Sequence, residues 1–111
     1  MKTIHDAVSA FEDLQEDGEL QLSRHAAKRS KKRQLPKSFL ITALRQQELV
    51  GAVVQPPENR FKLWVPMPDD APMDYSDDKD LVLVIAETEL DKTYNLITTF
   101  PAARSERFHD D

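Results

Sequence analysis

The spacing of apolar residues changes near Leu49, and this change constrains the fold more than any other feature. Before it, apolar side chains recur every three or four residues, which is typical of amphipathic helices. After it, four β-rich stretches are separated by turn or loop signals: 49–55, 60–65, 81–87 and 93–100. Their connections hold no plausible crossover helix, so we expect an antiparallel meander. The sequence predicts an α+β fold with N-terminal helices packed on a four-stranded antiparallel sheet.

Three helices are predicted in the first half of the chain. The first occupies residues 1–18 and stops at Gly18. Ser23 is expected to cap a second helix, which runs to about Lys32, because a serine side chain can accept a bond from the first free backbone N–H groups. Pro36 is expected in the first turn of a third helix, since its ring fixes a backbone torsion that suits a helix start. The helical half therefore ends shortly before Leu49.

The chain is expected to be a single domain of 111 residues. The stretch 81–86 is apolar on both faces, which predicts a central strand covered by helices on at least one side. Residues 56–59 are predicted to form a tight link. Residues 66–80, rich in proline and aspartate, are predicted to form an exposed loop, either a lid or, as we favour, a disordered excursion. The polar tail 102–111 is expected to fray.

Composition excludes several kinds of site. The chain has no cysteine, so neither a disulfide framework nor a thiolate metal site is possible, which fits a cytoplasmic location. Only two glycines are present, and no phosphate-cradling loop or nucleotide cofactor site is predicted. His5 and His109 lie far from any acidic pattern with metal spacing, so no metal ligands are expected. The N-terminus lacks a long apolar run, so no signal peptide or membrane segment is expected.

Basic charge is concentrated between Arg24 and Lys37, although the net charge of the chain is -5. This run holds seven of the 15 lysines and arginines and no acidic residue. In a helix, His25, Arg29 and Arg33 lie one turn apart on one face, where they suit successive phosphates. The alternative is a solvated helix face, the usual role of such runs. Uncompensated like charges destabilise a helix, so the run instead indicates an external anion or an acidic segment elsewhere in the fold.

The same region carries a motif, Ser23-x-His25-Ala26-x-x-Arg29-x-x-x-Arg33-x-Leu35. With the helix and strands that follow, up to Pro101, it resembles a bacterial family of domains of unknown function with a Ser-x-His-Ala-x-x-Arg signature. That family is grouped with the barnase, EndoU, colicin and RelE-like ribonuclease fold, to which many toxins belong. The resemblance covers residues 20–101, a toxin-like core. It implies RNA bound across the sheet's other face or its edge, no cofactor, and a cognate antitoxin or immunity protein as partner.

The resemblance also implies a set of catalytic residues. RNA cleavage without a metal needs a base for the 2′-hydroxyl proton, a cation for the phosphate charge and an acid for the leaving 5′ oxygen. His25 can serve as base or acid, because imidazole titrates near neutral pH, and Arg29 offers the phosphate a planar fork. By analogy with the fold, Thr98 or Thr99 is expected to orient the phosphate and Tyr94 to join the proton transfer. Packing is the usual role of such strand residues, and this alternative stays open.

Further contacts to RNA are expected from the basic helix and from one strand. The predicted RNA-binding residues are Arg24, Lys28, Lys32, Arg33, Arg60, Lys62 and Trp64. The last three alternate along a strand, so they share one face, where a base could stack on the indole ring. The alternative is a pair of snorkelling cations beside a tryptophan at the edge of the core.

The acidic balance of the chain argues against RNA binding, because a net charge of -5 weakens encounter with a polyanion. Three explanations are open: the acids occupy other faces, an acidic loop screens the basic helix until RNA displaces it, or the protein does not cleave RNA. We interpret the sequence as that of a metal-independent endoribonuclease of toxin type. The alternative is a non-catalytic interaction module whose basic helix binds an acidic protein or nucleic acid.

Overall fold

In the part of the chain that the structure describes, the fold consists of three helices and five strands. The computed structural model describes residues 2–55, 59–69, 71 and 79–103. The elements in chain order are α1 (Ile4–Glu16), β1 (Glu19–Leu22), α2 (Arg24–Lys32), α3 (Lys37–Gln46), β2 (Gly51–Gln55), β3 (Arg60–Pro66), β4 (Lys79–Glu87) and β5 (Thr93–Ala103). No helix in the described ranges is long and apolar enough to cross a bilayer.

The sheet has the order β1-β5-β4-β3-β2. Strands β2 to β5 form the predicted antiparallel meander, and β4, which contains residues 81–86, is the central strand as expected. The prediction of four strands is wrong, because β1 adds a fifth strand, parallel to β5, from Glu19 beside Thr93 to Leu22 beside Leu96. The sheet is therefore mixed rather than purely antiparallel.

Helix α1 follows from a capped start and a glycine stop. The Thr3 N–H donates to Asp6 Oδ2 at 2.7 Å, which secures the first turn. The buried face consists of Ala7, Ala10, Phe11 and Leu14. Gly18 follows the helix as predicted, but its backbone is not left-handed. It is required for space instead, because a Cβ there would lie 2.6 Å from the Asp13 carbonyl oxygen.

Helix α2 begins and ends on specific polar contacts. Ser23 caps it as predicted, since its Oγ accepts a bond from the Ala26 N–H at 3.1 Å. At the other end Gln34 takes a left-handed conformation with φ of 58°, and the Leu35 N–H donates to the Ser30 carbonyl at 2.8 Å. Leu35 is fully buried and fixes this end of the helix to the core. Pro36 then caps α3 rather than occupying its first turn.

Both faces of the sheet are packed near β4. The main core lies between the helices and the sheet, and its largest fully buried side chains are Leu14, Leu20, Leu35, Leu40, Leu44, Phe61, Leu63, Leu81, Leu83 and Ile85. On the opposite face Trp64, Val82 and Ala102 form a smaller cluster against Val53 and Phe100. Alternate side chains of β4 therefore enter two different clusters, which explains why residues 81–86 are apolar throughout.

The predicted loop and tail boundaries need correction. Pro66 belongs to β3 and Lys79 and Asp80 to β4, so the strands extend into the segment predicted as a loop. The tail was expected to begin at Ala102, yet this residue is buried in β5. Pairing with β4 extends the strand, because Ala102 lies opposite Asp80 and Ala103 opposite Lys79. Residues 56–58, 70, 72–78 and 104–111 lie outside the described ranges, so the expected tight link, the lid or excursion and the frayed end stay predictions.

Candidate functional site

The basic run forms an exposed helix with one buried side. Ala26 and Ser30, one turn apart, face the core, and the Ser30 hydroxyl donates to the Ala27 carbonyl at 3.1 Å. Six side chains of α2 that carry or can accept a positive charge are exposed to solvent: Arg24, His25, Lys28, Arg29, Lys31 and Lys32. In the described part of the chain none of these six forms an ion pair. The charge of α2 is therefore available to an anion from outside.

Five of these six side chains fall into two rows, because residues three or four apart share a face of a helix, and Lys32 lies between the rows. The first, here called the His25 row, contains His25, Arg29 and, just after the helix end, Arg33. The second, here called the Lys31 row, contains Arg24, Lys28 and Lys31. The predicted alignment of the first three residues follows from this helical geometry, and His25 itself is exposed to solvent.

Arg33 connects the His25 row to the last strand. Its Nη1 donates to Thr98 Oγ1 at 3.2 Å and to the Thr99 carbonyl at 2.6 Å. This half-buried guanidinium holds the end of α2 against β5, so part of its bonding capacity is used within the protein. The structure thus brings Thr98 to the end of the His25 row.

Tyr94 lies elsewhere. In a regular strand Tyr94 and Thr98, four residues apart, would share a face, but the pairing of β5 with β4 shifts register between Val84 and Ile85. Thr98 lies opposite Val84, whereas Tyr94 lies opposite Glu87, so their side chains point to opposite faces. The structure therefore does not place the phenol beside the predicted phosphate-orienting threonine.

The tyrosine hydroxyl has a structural partner. It donates to Asp13 Oδ2 at 2.7 Å, and only 7% of the residue is exposed. Burial, followed by this hydrogen bond, raises the pKa of Tyr94 well above its usual value. A phenol held in this way does not give up its proton near neutral pH. The buried hydroxyl of Thr99 also has a structural partner, because it donates to the Val82 carbonyl at 2.8 Å.

The three alternating residues of β3 share one face, as predicted. Lys62 lies opposite Val84, and Val84 lies opposite Thr98, so one row of the sheet leads from Thr98 to Lys62. Trp64 is only 3% exposed, and the Lys62 ammonium lies 4.9 Å from the centre of its ring. Arg60, next on this face, is half-buried. This placement matches the snorkelling alternative, and the covered indole offers no open face for stacking.

Two further surface features were not predicted from the sequence. An acidic cavity of about 420 Å³ is lined by Asp13, Tyr94 and the residues 87–93 that join β4 to β5. A second depression lies where α2 meets α3. Within the described ranges, no group of three or more His, Cys, Asp or Glu side chains is placed to hold a metal ion.

The chain was compared with protein families, curated proteins and solved structures. No family model, no curated protein and no solved structure matches it. The resemblance to the ribonuclease toxin fold therefore stays a prediction.

Proposed function

We propose that the His25 row binds RNA through its phosphates and that His25 is the base of a metal-independent cleavage reaction. One observation carries this proposal: His25 and Arg29 are both exposed, one turn apart, on a helix whose end Arg33 holds against Thr98. A group able to accept a proton and a guanidinium able to bind a phosphate thus lie beside each other on a fixed surface.

Binding is supported by cations on two elements that one row of the sheet connects. The His25 row ends at Thr98, and the row of the sheet that contains Thr98 continues to Lys62. Two strand spacings, about 10 Å, separate Thr98 from Lys62. A nucleic-acid backbone crossing from α2 to the sheet would meet positive charge at both ends of this path. The covered ring of Trp64 indicates contacts to phosphates rather than stacking on bases.

The proposed reaction is an internal transfer of the phosphoryl group. Neutral His25 accepts the 2′-hydroxyl proton, the 2′ oxygen attacks phosphorus, and the bond from phosphorus to the 5′ oxygen breaks. The products are a 2′,3′-cyclic phosphate and a 5′-hydroxyl. Arg29 holds the negative charge that builds up on the phosphate oxygens. Because Tyr94 is bound to Asp13, the 5′ oxygen takes its proton from water or from the His25 imidazolium.

The hydrogen bond from Tyr94 to Asp13 also favours a second candidate function, the non-catalytic interaction module. Cleavage by acid and base together needs two proton-transfer groups, and the described surface around His25 provides one. Without a second group the same surface would still bind an anion. The two candidates differ in what His25 contributes, so the experiment concentrates on that residue.

Purified protein is incubated with end-labelled single-stranded RNA, with and without EDTA, and the products are separated on a denaturing gel. His25→Ala should lower the cleavage rate about a hundredfold or more, while RNA affinity changes little. Arg29→Ala should weaken binding and reduce its salt slope by about 0.7, the contribution of one phosphate contact. Arg45→Ala, which removes an exposed arginine from α3, is the matched control and should change neither the cleavage rate nor RNA binding. RNA left intact at high protein concentration, but still bound, would support the interaction module.

A further inference from the structure

A shallow groove lies between the end of α2 and the start of α3. It has a volume of about 460 Å³ and is lined by Lys31, Gln34, Pro36 and Phe39. The turn between the helices creates it: Leu35 points into the core, while Gln34, in its left-handed conformation, and the Pro36 ring remain exposed. Phe39 is half-buried at the base of the same turn. The walls of the groove are almost wholly apolar.

Positive charge borders this apolar groove. Lys31, which lines it, is also the last member of the Lys31 row, so Arg24 and Lys28 extend from the groove along α2. Lys37, which follows Pro36, is also exposed. No acidic residue occurs between Arg24 and Lys37. An apolar groove bordered by several cations complements a ligand that combines carboxylates with an apolar side chain.

We propose that the groove and the Lys31 row form a docking site for an acidic peptide that inserts one apolar side chain. The cations would bind its carboxylates, and Pro36 and Phe39 would contact the inserted side chain. This site goes beyond the proposed RNA surface, because the Lys31 row and the His25 row occupy different sides of α2. RNA phosphates would use the charge of the Lys31 row but would gain little from apolar walls.

The test uses the full chain and two fluorescein-labelled peptides of aspartate and glutamate, one with a central phenylalanine and the other with serine at that position. Fluorescence anisotropy should show that the phenylalanine peptide binds about tenfold more tightly or better, because burial of one aromatic side chain has an effect of this size. Lys31→Glu should weaken its binding at least tenfold. Arg45→Glu makes the same change of charge at an exposed position of α3, and it should change the affinity for the phenylalanine peptide less than twofold. Amide NMR shifts on binding should concentrate at residues 31–39.

Equal affinities of the two peptides would overturn the proposal, because they would show attraction by charge alone. An equal effect of Lys31→Glu and Arg45→Glu would also overturn it. The affinity for labelled RNA is measured in parallel, for the wild-type protein and for Arg29→Ala. This variant should bind RNA more weakly and bind the phenylalanine peptide with unchanged affinity. Peptide binding without RNA binding would refute only the proposed function, and the reverse would refute only the docking site. RNA that shifts the amides of 31–39 and displaces the peptide would assign the groove to RNA instead.

Discussion

Arg33 is the residue for which the sequence and the structure predict different effects. The basic pattern treats it as one more phosphate ligand, equivalent to Arg29. In the structure its Nη1 donates to Thr98 Oγ1 at 3.2 Å and to the Thr99 carbonyl at 2.6 Å, whereas Arg29 is exposed. Replacement of Arg33 by alanine should therefore destabilise the fold, and the same replacement at Arg29 should not.

The size of the effect follows from these two bonds. A hydrogen bond with a charged partner contributes about 1.5–3 kcal/mol when buried, and less where water competes. Arg33 is half-buried, so we expect Arg33→Ala to lower the free energy of unfolding by about 2 kcal/mol. At about 4 °C for each kcal/mol in a domain of this size, the melting temperature should fall by about 8 °C. Arg29→Ala should change it by less than about 2 °C, as expected for an exposed residue.

The assay is thermal and urea unfolding followed by circular dichroism, with Thr98→Val as a third variant. Thr98→Val removes the hydroxyl acceptor and keeps the shape of the side chain, so it should cost about 1 kcal/mol in the wild-type protein. In the Arg33→Ala background it should cost much less, because the bond is already lost. Equal melting temperatures for Arg33→Ala and Arg29→Ala, or additive effects of Arg33→Ala and Thr98→Val, would refute the assignment of Arg33 as the anchor of α2.

Two further predictions concern stability. Burial and the bond to Asp13 raise the pKa of Tyr94 in the folded protein. The protonated Tyr94 hydroxyl therefore stabilises the fold fully below the unfolded pKa of about 10, and this contribution is lost as pH rises above that value. Tyr94→Phe should flatten the fall in unfolding free energy between about pH 9 and 11, and an unchanged slope would contradict this. Gly18→Ala should cost about 1–3 kcal/mol in urea unfolding, because its Cβ would lie 2.6 Å from the Asp13 carbonyl oxygen; wild-type stability would show that this backbone yields easily.

The sequence was sufficient to predict the helices and the meander because each has a long local signal. The missing strand, β1, has four residues and one fully buried side chain, Leu20. Four residues are too few to establish a period of two. Its partner residues, Thr93 to Leu96, lie more than 70 positions away in the sequence, so no turn residues between the two strands indicate the pairing. Only the assembled sheet shows that residues 19–22 are a strand.

The candidate site was also predictable where it depends on local periodicity, and not where it depends on strand pairing. Helical periodicity places His25, Arg29 and Arg33 in a row, and the cap at Ser23 fixes where that helix begins. The bulge in β5 could not be anticipated, because it depends on how β5 pairs with β4 rather than on its own residues. That single shift moves Thr98 to the face opposite Tyr94.

The net charge of -5 does not by itself set the field at α2, because several of the described acids lie away from its cations. Asp13 and Asp91 line the cavity beside the start of β5, and Asp17 is paired there with Lys92. The His25 row meets β5 at Thr98, five residues further along the strand, or roughly 16 Å at about 3.3 Å per residue. The Debye length is about 8 Å at physiological ionic strength, so acids at the start of β5 are largely screened from a phosphate bound where the His25 row meets Thr98. The exposed cations of α2 therefore contribute more to the attraction of such a phosphate than these acids do.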